Sequence, residues 1–360
     1  MAELLKNIYN KSYLEILSSE LTLVYGDFNK ESFFKSIFNY EWDTKELKER
    51  MRHISTTLGL FLPKDYERAI EILKKSFLQL NHAYRLENMI FQDFVEVYGL
   101  ENFEISIDAM EFFTIESSSE FAIRKFILKY QDATIAQMLI WAKSDNFHVR
   151  RLASEGCRPR LPWAIALPKF KKEPFEVLQI LDILKDDESE YVRKSVANNI
   201  NDISKDNPQV VKKLASKWIG VNSNRDALLK HGCRTLLKSS DKEILNLFGF
   251  KSPDAVILGE FKLSKELKMG EELEFSFILN SQNNLGKLRI EYILEFIRKN
   301  KKHNAKVFKI SEGIFEKNEK KVFKKHSFKP ISTRVYYKGL HKLSIVINGE
   351  IFAKEEFFLT

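Results

Sequence analysis

A glutamate lies where a predicted helix disfavours negative charge. Glu155 directly precedes Gly156, a predicted C-terminal cap, so its carboxylate falls in the last helical turn. The helix dipole opposes an acid there, and positions that break local rules are enriched in functional sites. Arg151, one turn earlier, could instead simply neutralise the charge. Glu155 is therefore a candidate for acid or base chemistry, and a purely structural role stays open.

A tryptophan follows this helix among unusual neighbours. The segment Arg158–Trp163 reads RPRLPW. Its two prolines stiffen the connection, and Pro162 suits the first turn of a following helix, which predicts Trp163 at a helix start. Arginine and proline neighbours make Trp163 a candidate contact residue. The other tryptophans are predicted core residues: Trp42, Trp141 and Trp218.

The elements that would position these residues change in type near residue 250. Upstream, apolar residues recur at helical spacing, as from Leu14 to Leu21. Downstream they alternate, as from Leu273 to Leu279, and Asn348-Gly349 is a two-residue hairpin signal. We therefore predict an α+β multidomain chain. Residues 1–250 would form an all-α domain, and residues 251–360 a small antiparallel, immunoglobulin-like β-sandwich.

An internal repeat organises the helical part. Asp145–Arg150 (DNFHVR) recurs as Glu188–Arg193 (ESEYVR), 43 residues later. This offset lies within the ~40 to 47 residues of HEAT and armadillo repeats. Each unit would be a helix pair that buries its apolar stripe by stacking on its neighbours, which predicts a HEAT-like solenoid with a concave face. Arg150 and Arg193 are equivalent, which favours ion pairs between repeats over ligand contacts.

The net charge of +8 belongs to the C-terminal part. Basic and acidic residues balance at 36 each in residues 1–250, but number 22 and 14 in residues 251–360. Residues 298–338 alone carry 14 basic and 3 acidic groups, and a second basic patch spans residues 147–172. Lysine and arginine bind phosphates by releasing counterions, so both patches favour a polyanionic partner. A merely solubilising surface is the alternative for the C-terminal patch.

The composition excludes several classes of protein. With 44% apolar residues and only 2 cysteines, the chain is neither disordered nor a disulfide scaffold. Cys157 and Cys233 are predicted to be free thiols in a reducing compartment. We find no signal-like or membrane-spanning run, metal-ligand spacing or glycine-rich phosphate loop. We therefore expect a cytoplasmic protein that needs no metal or cofactor and binds no membrane.

Three segments of the helical part carry a recognisable pattern. They read SEFAIR at 119–124, NFHVRRLASEGCRPRLPW at 146–163 and YVRKSVANNIND at 191–202. Together they closely resemble the AlkC branch of the HEAT-like DNA alkylation-repair glycosylases, relatives of AlkD. The resemblance runs from about residue 100 to residue 250. The basic β domain resembles the immunoglobulin-like extension of one AlkC subgroup, most recognisably at residues 306–309 and 348–349.

The resemblance implies a monofunctional glycosylase that removes cationic N-alkylated bases from double-stranded DNA without extruding them. N3-methylcytosine, N1-methyladenine and N3-methyladenine are the implied substrates. A carboxylate against the sugar would stabilise its oxocarbenium-like charge and orient the attacking water. That role is carried over to Glu155, with Asp202 as the second carboxylate and Glu120 as a third. Trp163 would pack on the deoxyribose or the cationic base.

The same resemblance and the basic patches imply phosphate contacts that fix register without reading sequence. The expected DNA-binding residues are Arg151, Arg158, Arg160, Asn198, Asn199, Lys301, Lys302, Lys324 and Lys325. Two domains of one chain could enclose the duplex, so we expect a monomer. A noncatalytic DNA-binding relative is an alternative, which the presence of Glu155, Trp163 and Asp202 together disfavours. A protein-interaction scaffold is the second alternative.

Overall fold

The computed structural model describes residues 4–80, 83–331 and 334–360. Its α-helices are Lys11–Val24 (α1), Lys30–Ile37 (α2), Leu47–Phe61 (α3), Tyr66–Phe77 (α4), Met89–Tyr98 (α5), Phe103–Thr114 (α6), Ile123–Lys129 (α7), Gln131–Trp141 (α8), Phe147–Gly156 (α9), Pro168–Lys172 (α10), Phe175–Leu184 (α11), Glu190–Ile203 (α12), Pro208–Trp218 (α13), Ser223–Gly232 (α14), Arg234–Lys238 (α15) and Lys242–Leu247 (α16). Short 3-10 helices span Leu5–Ile8 and Trp42–Thr44. The strands are Val256–Leu263 (β1), Glu266–Leu267 (β2), Glu272–Ser281 (β3), Gly286–Ile297 (β4), His303–Phe315 (β5), Glu319–Ser327 (β6), Gly339–Ile347 (β7) and Glu350–Leu359 (β8).

The chain divides into two compact units. The helical unit comprises the residues up to Val211 together with Gly220–Gly232, and the β unit comprises Lys212–Ile219 and Cys233–Thr360. Helices followed by a β domain confirm the predicted fold class. The domain boundary at residue 250 stays a prediction.

Local signals explain where helices of the helical unit begin and which face they bury. The side chains of Asn10 and Asp65 accept hydrogen bonds from backbone amides three residues later, at the starts of α1 and α4. Such caps satisfy amides that have no partner within the helix. The stripe predicted from Leu14 to Leu21 is buried on α1. Amphipathic spacing therefore predicted this helix and its inward face correctly.

Helices α9 and α12 are equivalent members of adjacent repeats, and α12 packs against both α9 and α14. Arg150 Nη1 donates to the carbonyls five and six residues earlier, at 2.9 and 3.0 Å. Arg193 Nη1 repeats this arrangement at 2.8 and 2.6 Å. Arg150 also forms the predicted ion pair with the next repeat, because its Nε lies 2.6 Å from Asp187 Oδ2. The 43-residue repeat is therefore confirmed at the level of individual hydrogen bonds.

The β unit contains a three-stranded sheet in the order β1-β3-β6 and a five-stranded sheet in the order β2-β8-β7-β4-β5. Every pairing is antiparallel except the short one between β2 and β8, which departs from the expected antiparallel pattern. The alternating apolar residues of Leu273–Leu279 are buried on β3. Asn348 and Gly349 join β7 to β8 with φ of 47° and 84°, as the hairpin signal predicted.

Candidate active site

The last turns of α9 and α12 bring two carboxylates to one arginine. Arg158 Nη1 lies 2.6 Å from Glu155 Oε1, and its Nε lies 2.9 Å from Asp202 Oδ2. Glu155 is 5% exposed and Asp202 1% exposed. Burial opposes the charged form of Arg158, but the two carboxylates outweigh it and raise the pKa of Arg158. The site therefore holds a buried cation between two acids.

Both carboxylate oxygens of Glu155 are engaged. Oε1 accepts from Arg158 and also lies 3.5 Å from Arg151 Nη2. Oε2 accepts a hydrogen bond of 2.6 Å from the Ser195 hydroxyl. These contacts offset the unfavourable position of an acid in the last turn of α9. The neutralising arginine expected one turn earlier is present, but Arg158 makes the closer contact.

A third carboxylate approaches from just before α7. Arg151 Nη1 lies 2.5 Å from Glu120 Oε2, and the Ser118 hydroxyl donates to the same oxygen at 2.9 Å. The guanidinium carbon of Arg151 lies 4.9 Å from the centroid of the Tyr191 ring. Burial opposes the charged form of Arg151, yet Glu120 and Glu155 raise its pKa. Arg151 thus holds Glu120 and Glu155 on either side of itself.

A cleft of about 290 Å³ opens onto these groups, and we call it the Glu155 cleft. It is lined by Tyr9, Leu47, Lys48, Met51, Leu86, Met89, Glu120, Phe121, Glu155, Arg158, Leu161, Pro162 and Trp163. Three of the four predicted catalytic residues therefore meet on one surface. Asp202 does not line this cleft and is connected to it through Arg158.

Trp163 lies in a strained turn at the Glu155 cleft. Its φ is +62°, and its side chain is 65% exposed, whereas the other tryptophans are buried as predicted. The left-handed region costs such a residue ~1 to 3 kcal/mol and persists only where its surroundings enforce it. The predicted helix start at Trp163 is wrong, because the next helix begins at Pro168. The arginine-proline segment instead forms an irregular connection that presents the indole to solvent.

Two basic side chains hold this connection in place. Lys48 Nζ donates to the Trp163 carbonyl at 2.8 Å, from α3, and lies 4.5 Å from the centroid of the Phe121 ring. Arg124 is fully buried and donates to the carbonyls of Gly156, Arg158 and Ile165 at 2.6 to 2.9 Å. Burial lowers the pKa of Arg124 to about 10, so it stays charged at neutral pH. The conformation around Trp163 therefore depends on α3 and α7.

Gly156 does not have the predicted role of a C-terminal cap. It is the last residue of α9, not a left-handed cap beyond it. A Cβ atom at this position would lie 2.7 Å from Ile123 Cγ2 and 3.1 Å from Met138 Cε. The glycine therefore permits close packing of α9 against α7 and α8.

Most basic side chains of the patch at residues 147–172 form ion pairs within the protein. Arg150, Arg151 and Arg158 bind carboxylates, and Arg160 Nε and Nη2 donate to the two carboxylate oxygens of Asp206 at 2.8 and 2.6 Å. Counting charges within this segment overstates its free positive charge, because the count omits the acids that pair with its arginines. Most of these acids are distant along the chain, and Asp206 lies 46 residues from Arg160. The expected phosphate contacts by Arg151, Arg158 and Arg160 stay a prediction, and the Arg160 side chain is 38% exposed despite its ion pair.

The two predicted asparagine contacts lie in different environments. Asn198 Oδ1 lies 3.1 Å from His231 Nε2 at an exposed position. Asn199 has no exposed surface, and its amide donates to the Ser154 carbonyl at 2.8 Å and to Cys157 Sγ at 3.3 Å. Burial contradicts the expected DNA contact by Asn199, because its side chain links α12 to α9. Burial also raises the pKa of the Cys157 thiol to about 12.

The predicted lysines of the β unit are spread over both of its sheets. Lys301 and Lys302 are exposed in the turn between β4 and β5. Lys324 and Lys325 follow each other on β6, and Lys325 Nζ lies 2.6 Å from Glu274 Oε1. The basic segment 298–338 also lines a cleft of about 490 Å³, which we call the β cleft, and none of the four predicted lysines is in its described lining. Its described lining includes four cations and no acid: Arg298, Lys299, Lys306 and Arg334.

Among residues 4–80, 83–331 and 334–360, no cluster of His, Cys, Asp and Glu could hold a metal ion. Within the same ranges no helix is long and apolar enough to cross a bilayer.

Comparison with known proteins places the two units in a class. Residues 101–231 match the family model of the DNA alkylation repair enzymes. Residues 258–360 match the model of the C-terminal Ig-like domain of the uncharacterised protein YhaZ. A helical DNA alkylation repair region followed by an Ig-like domain is therefore the class that the fold defines.

Two full-length relatives narrow this class. The chain is 46% identical over 349 residues to YhaZ of Bacillus subtilis (strain 168), which covers 96% of this chain and 97% of YhaZ. It also matches the alkylpurine DNA glycosylase AlkC of Pseudomonas fluorescens, solved bound to DNA containing an abasic site analog. That match has 33% identity and a TM-score of 0.94, and it covers 99% of this chain and 100% of the other. The chain belongs to the AlkC branch of the DNA alkylation repair enzymes.

Proposed function

We propose that this protein hydrolyses the N-glycosyl bond of cationic N-alkylated bases in double-stranded DNA, N3-methylcytosine, N1-methyladenine and N3-methyladenine among them. The observation that carries the proposal is the Glu155 cleft, where Glu155, Glu120 and the exposed Trp163 converge. The relationship to an alkylpurine DNA glycosylase supports the same reaction.

The chemistry suits carboxylates better than a general acid. An alkylated base that carries a positive charge leaves as a neutral molecule, so no proton has to be delivered to it. As the C1′–N bond breaks, positive charge moves onto the sugar, and a fixed carboxylate stabilises it. A water molecule then bonds to C1′ and loses its proton to a carboxylate or to solvent. The products are the free base and an abasic site.

The geometry suggests different roles for the three acids. Glu155 lines the cleft and is held at both oxygens, so we assign it the contact with the developing charge. Glu120 lines the same cleft and would help to orient the water. Asp202 would act through Arg158 and not on the sugar directly.

We further propose that the base is not extruded during the reaction. Trp163 supports this proposal, because a solvent-exposed indole beside the cleft can pack on a deoxyribose or a cationic base that stays in the duplex. A leaving group that needs no protonation also needs no enclosing pocket of acids around the base.

The test of this function is base release from a duplex with one N3-methylcytosine or N3-methyladenine. We expect the protein to produce abasic sites, which alkali converts into strand breaks detected by electrophoresis. DNA binding without release would indicate a noncatalytic DNA-binding relative. The absence of both would favour a protein-interaction scaffold.

The β unit is proposed to bind the DNA backbone through the β cleft. Its cations are not balanced by acids in the described lining, so phosphates would displace counterions there. Changing Lys299→Ala and Lys306→Ala together should weaken DNA binding. The slope of log affinity against log salt should fall by about 1 for each phosphate that the variant no longer neutralises.

The measurement is a salt titration of the dissociation constant with the full-length protein. Lys262→Ala with Lys268→Ala, two exposed lysines elsewhere in the β unit, is the matched control. An equal change of slope in both double variants would show that the β cleft has no particular role.

A further inference from the structure

Ser195 occupies a core position of its repeat with a polar side chain. The 43-residue offset makes it equivalent to Leu152, which is fully buried on α9. The preceding repeat therefore places an apolar residue where α12 has a hydroxyl. Ser195 is itself 2% exposed, so this hydroxyl needs a partner inside the protein.

That partner is the candidate catalytic acid. The Ser195 hydroxyl donates to Glu155 Oε2 at 2.6 Å. Some buried serine hydroxyls of the helical unit bond locally, as Ser18 does to the Glu15 carbonyl on its own helix at 3.1 Å. Ser195 instead reaches across to the neighbouring repeat, where its contact crosses 40 residues of sequence.

The Ser195 hydroxyl is in turn fixed by its neighbours. The Ser154 hydroxyl donates to Ser195 Oγ at 2.7 Å, which leaves the Ser195 proton for Glu155. Asn199 holds the backbone of Ser154 by donating to its carbonyl at 2.8 Å. Buried hydrogen-bond chains of this kind rigidify the group at their end.

The two carboxylate oxygens of Glu155 are therefore held by different partners. Arg158 holds Oε1, and Ser195 holds Oε2. A carboxylate with one oxygen bound can turn about its terminal bond, whereas one bound at both oxygens cannot. Preorganised charges stabilise a transition state because no reorganisation is needed when the reaction occurs.

We propose that Ser195 is a positioning residue that fixes the orientation of the Glu155 carboxylate toward the Glu155 cleft. This inference rests on the proposed function, since it assigns Ser195 a part in the same reaction. Ser195 itself does not line the cleft and would not touch the substrate.

The test compares Ser195→Ala, Ser195→Cys and Ser195→Thr in the full-length protein. Alanine removes the donor, cysteine keeps the size with only a weak donor, and threonine keeps the hydroxyl. Losing a hydrogen bond to a charged group corresponds to a rate decrease of about 10- to 100-fold. We expect a decrease of this size in the single-turnover rate of base release for Ser195→Ala. Ser195→Cys should show most of the same decrease. Threonine should retain most of the wild-type rate. Affinity for a duplex with an abasic site analog should stay within about twofold of wild type, since no phosphate contact is removed.

Ser18→Ala is the matched control, because it removes a buried serine hydroxyl from α1, away from the Glu155 cleft. Base release by this variant should equal that of wild type. If Ser195→Ala or Ser195→Cys folds and releases bases at the wild-type rate, Ser195 has no positioning role, while the proposed function stands. If threonine is as slow as alanine, the effect comes from packing and the inference is wrong. A wild-type protein that releases no base would overturn the proposed function itself.

Discussion

Replacing Glu155 with glutamine should lower the rate of base release by about 10²-fold or more, the effect of removing one electrostatic contact from a transition state. Glutamine has nearly the same shape, and its amide oxygen can still accept from Arg158. The Ser195 hydroxyl can turn to accept from the new amide group. The variant should therefore fold and bind DNA while lacking the negative charge that the sugar requires.

The measurement is single-turnover release from a duplex with one N3-methyladenine, together with the affinity for DNA containing an abasic site analog. Glu188→Gln is a suitable control, since Glu188 is an exposed acid that contacts Arg150 at 3.3 Å and does not line the Glu155 cleft. Normal release by Glu155→Gln would exclude Glu155 as the catalytic carboxylate.

Replacing Arg158 with methionine should lower the free energy of unfolding by about 3 to 5 kcal/mol, the usual cost of removing one partner from a buried ion pair. Glu155 and Asp202 would both stay buried, each without its closest cation. Neither carboxylate can regain its hydration without opening the packing of α9 against α12. Base release should fall too, because Arg158 also orients Glu155.

Urea or thermal denaturation checks this expectation, with Arg160→Met as the matched control. Arg160 also contacts a carboxylate with two nitrogens, but its side chain is 38% exposed. Exposed pairs contribute about 0 to 1 kcal/mol, so the control should lose much less stability. Similar losses in both variants would mean that the buried cluster does not hold the two repeats together.

Several features of the fold follow from local sequence patterns. Helical spacing from Leu14 to Leu21 and alternation from Leu273 to Leu279 predicted the type of element and its buried face. Asn348-Gly349 predicted a hairpin because few residues tolerate positive φ. The repeat of Asp145–Arg150 at Glu188–Arg193 predicted equivalent helices. These predictions succeeded because each depends on neighbours within a few residues of the chain, or on a period that the sequence displays directly.

Only part of the candidate site could be predicted from local sequence patterns. Glu155 was a candidate because an acid is unfavourable in the last turn of a helix. Trp163 was a candidate because its arginine and proline neighbours are not typical of a hydrophobic core. Nothing in the sequence showed that Lys48 holds the Trp163 carbonyl, because the two residues are 115 positions apart. Ser195 left one weak signal, a hydroxyl where the preceding repeat has leucine at residue 152.

Sequence by itself thus determined the two kinds of element and the repeat, and it pointed to the acids that we propose for the reaction. Only the tertiary structure decided which charged side chains are exposed to a ligand and which are already paired within the protein. Arg158 and Asn199 resemble DNA-binding residues in the sequence, yet one is locked between two carboxylates and the other has no exposed surface. The reason is physical: an ion pair or a buried hydrogen bond depends on distance in space, and folding brings together partners that are far apart along the chain, as Arg158 and Asp202 are by 44 residues.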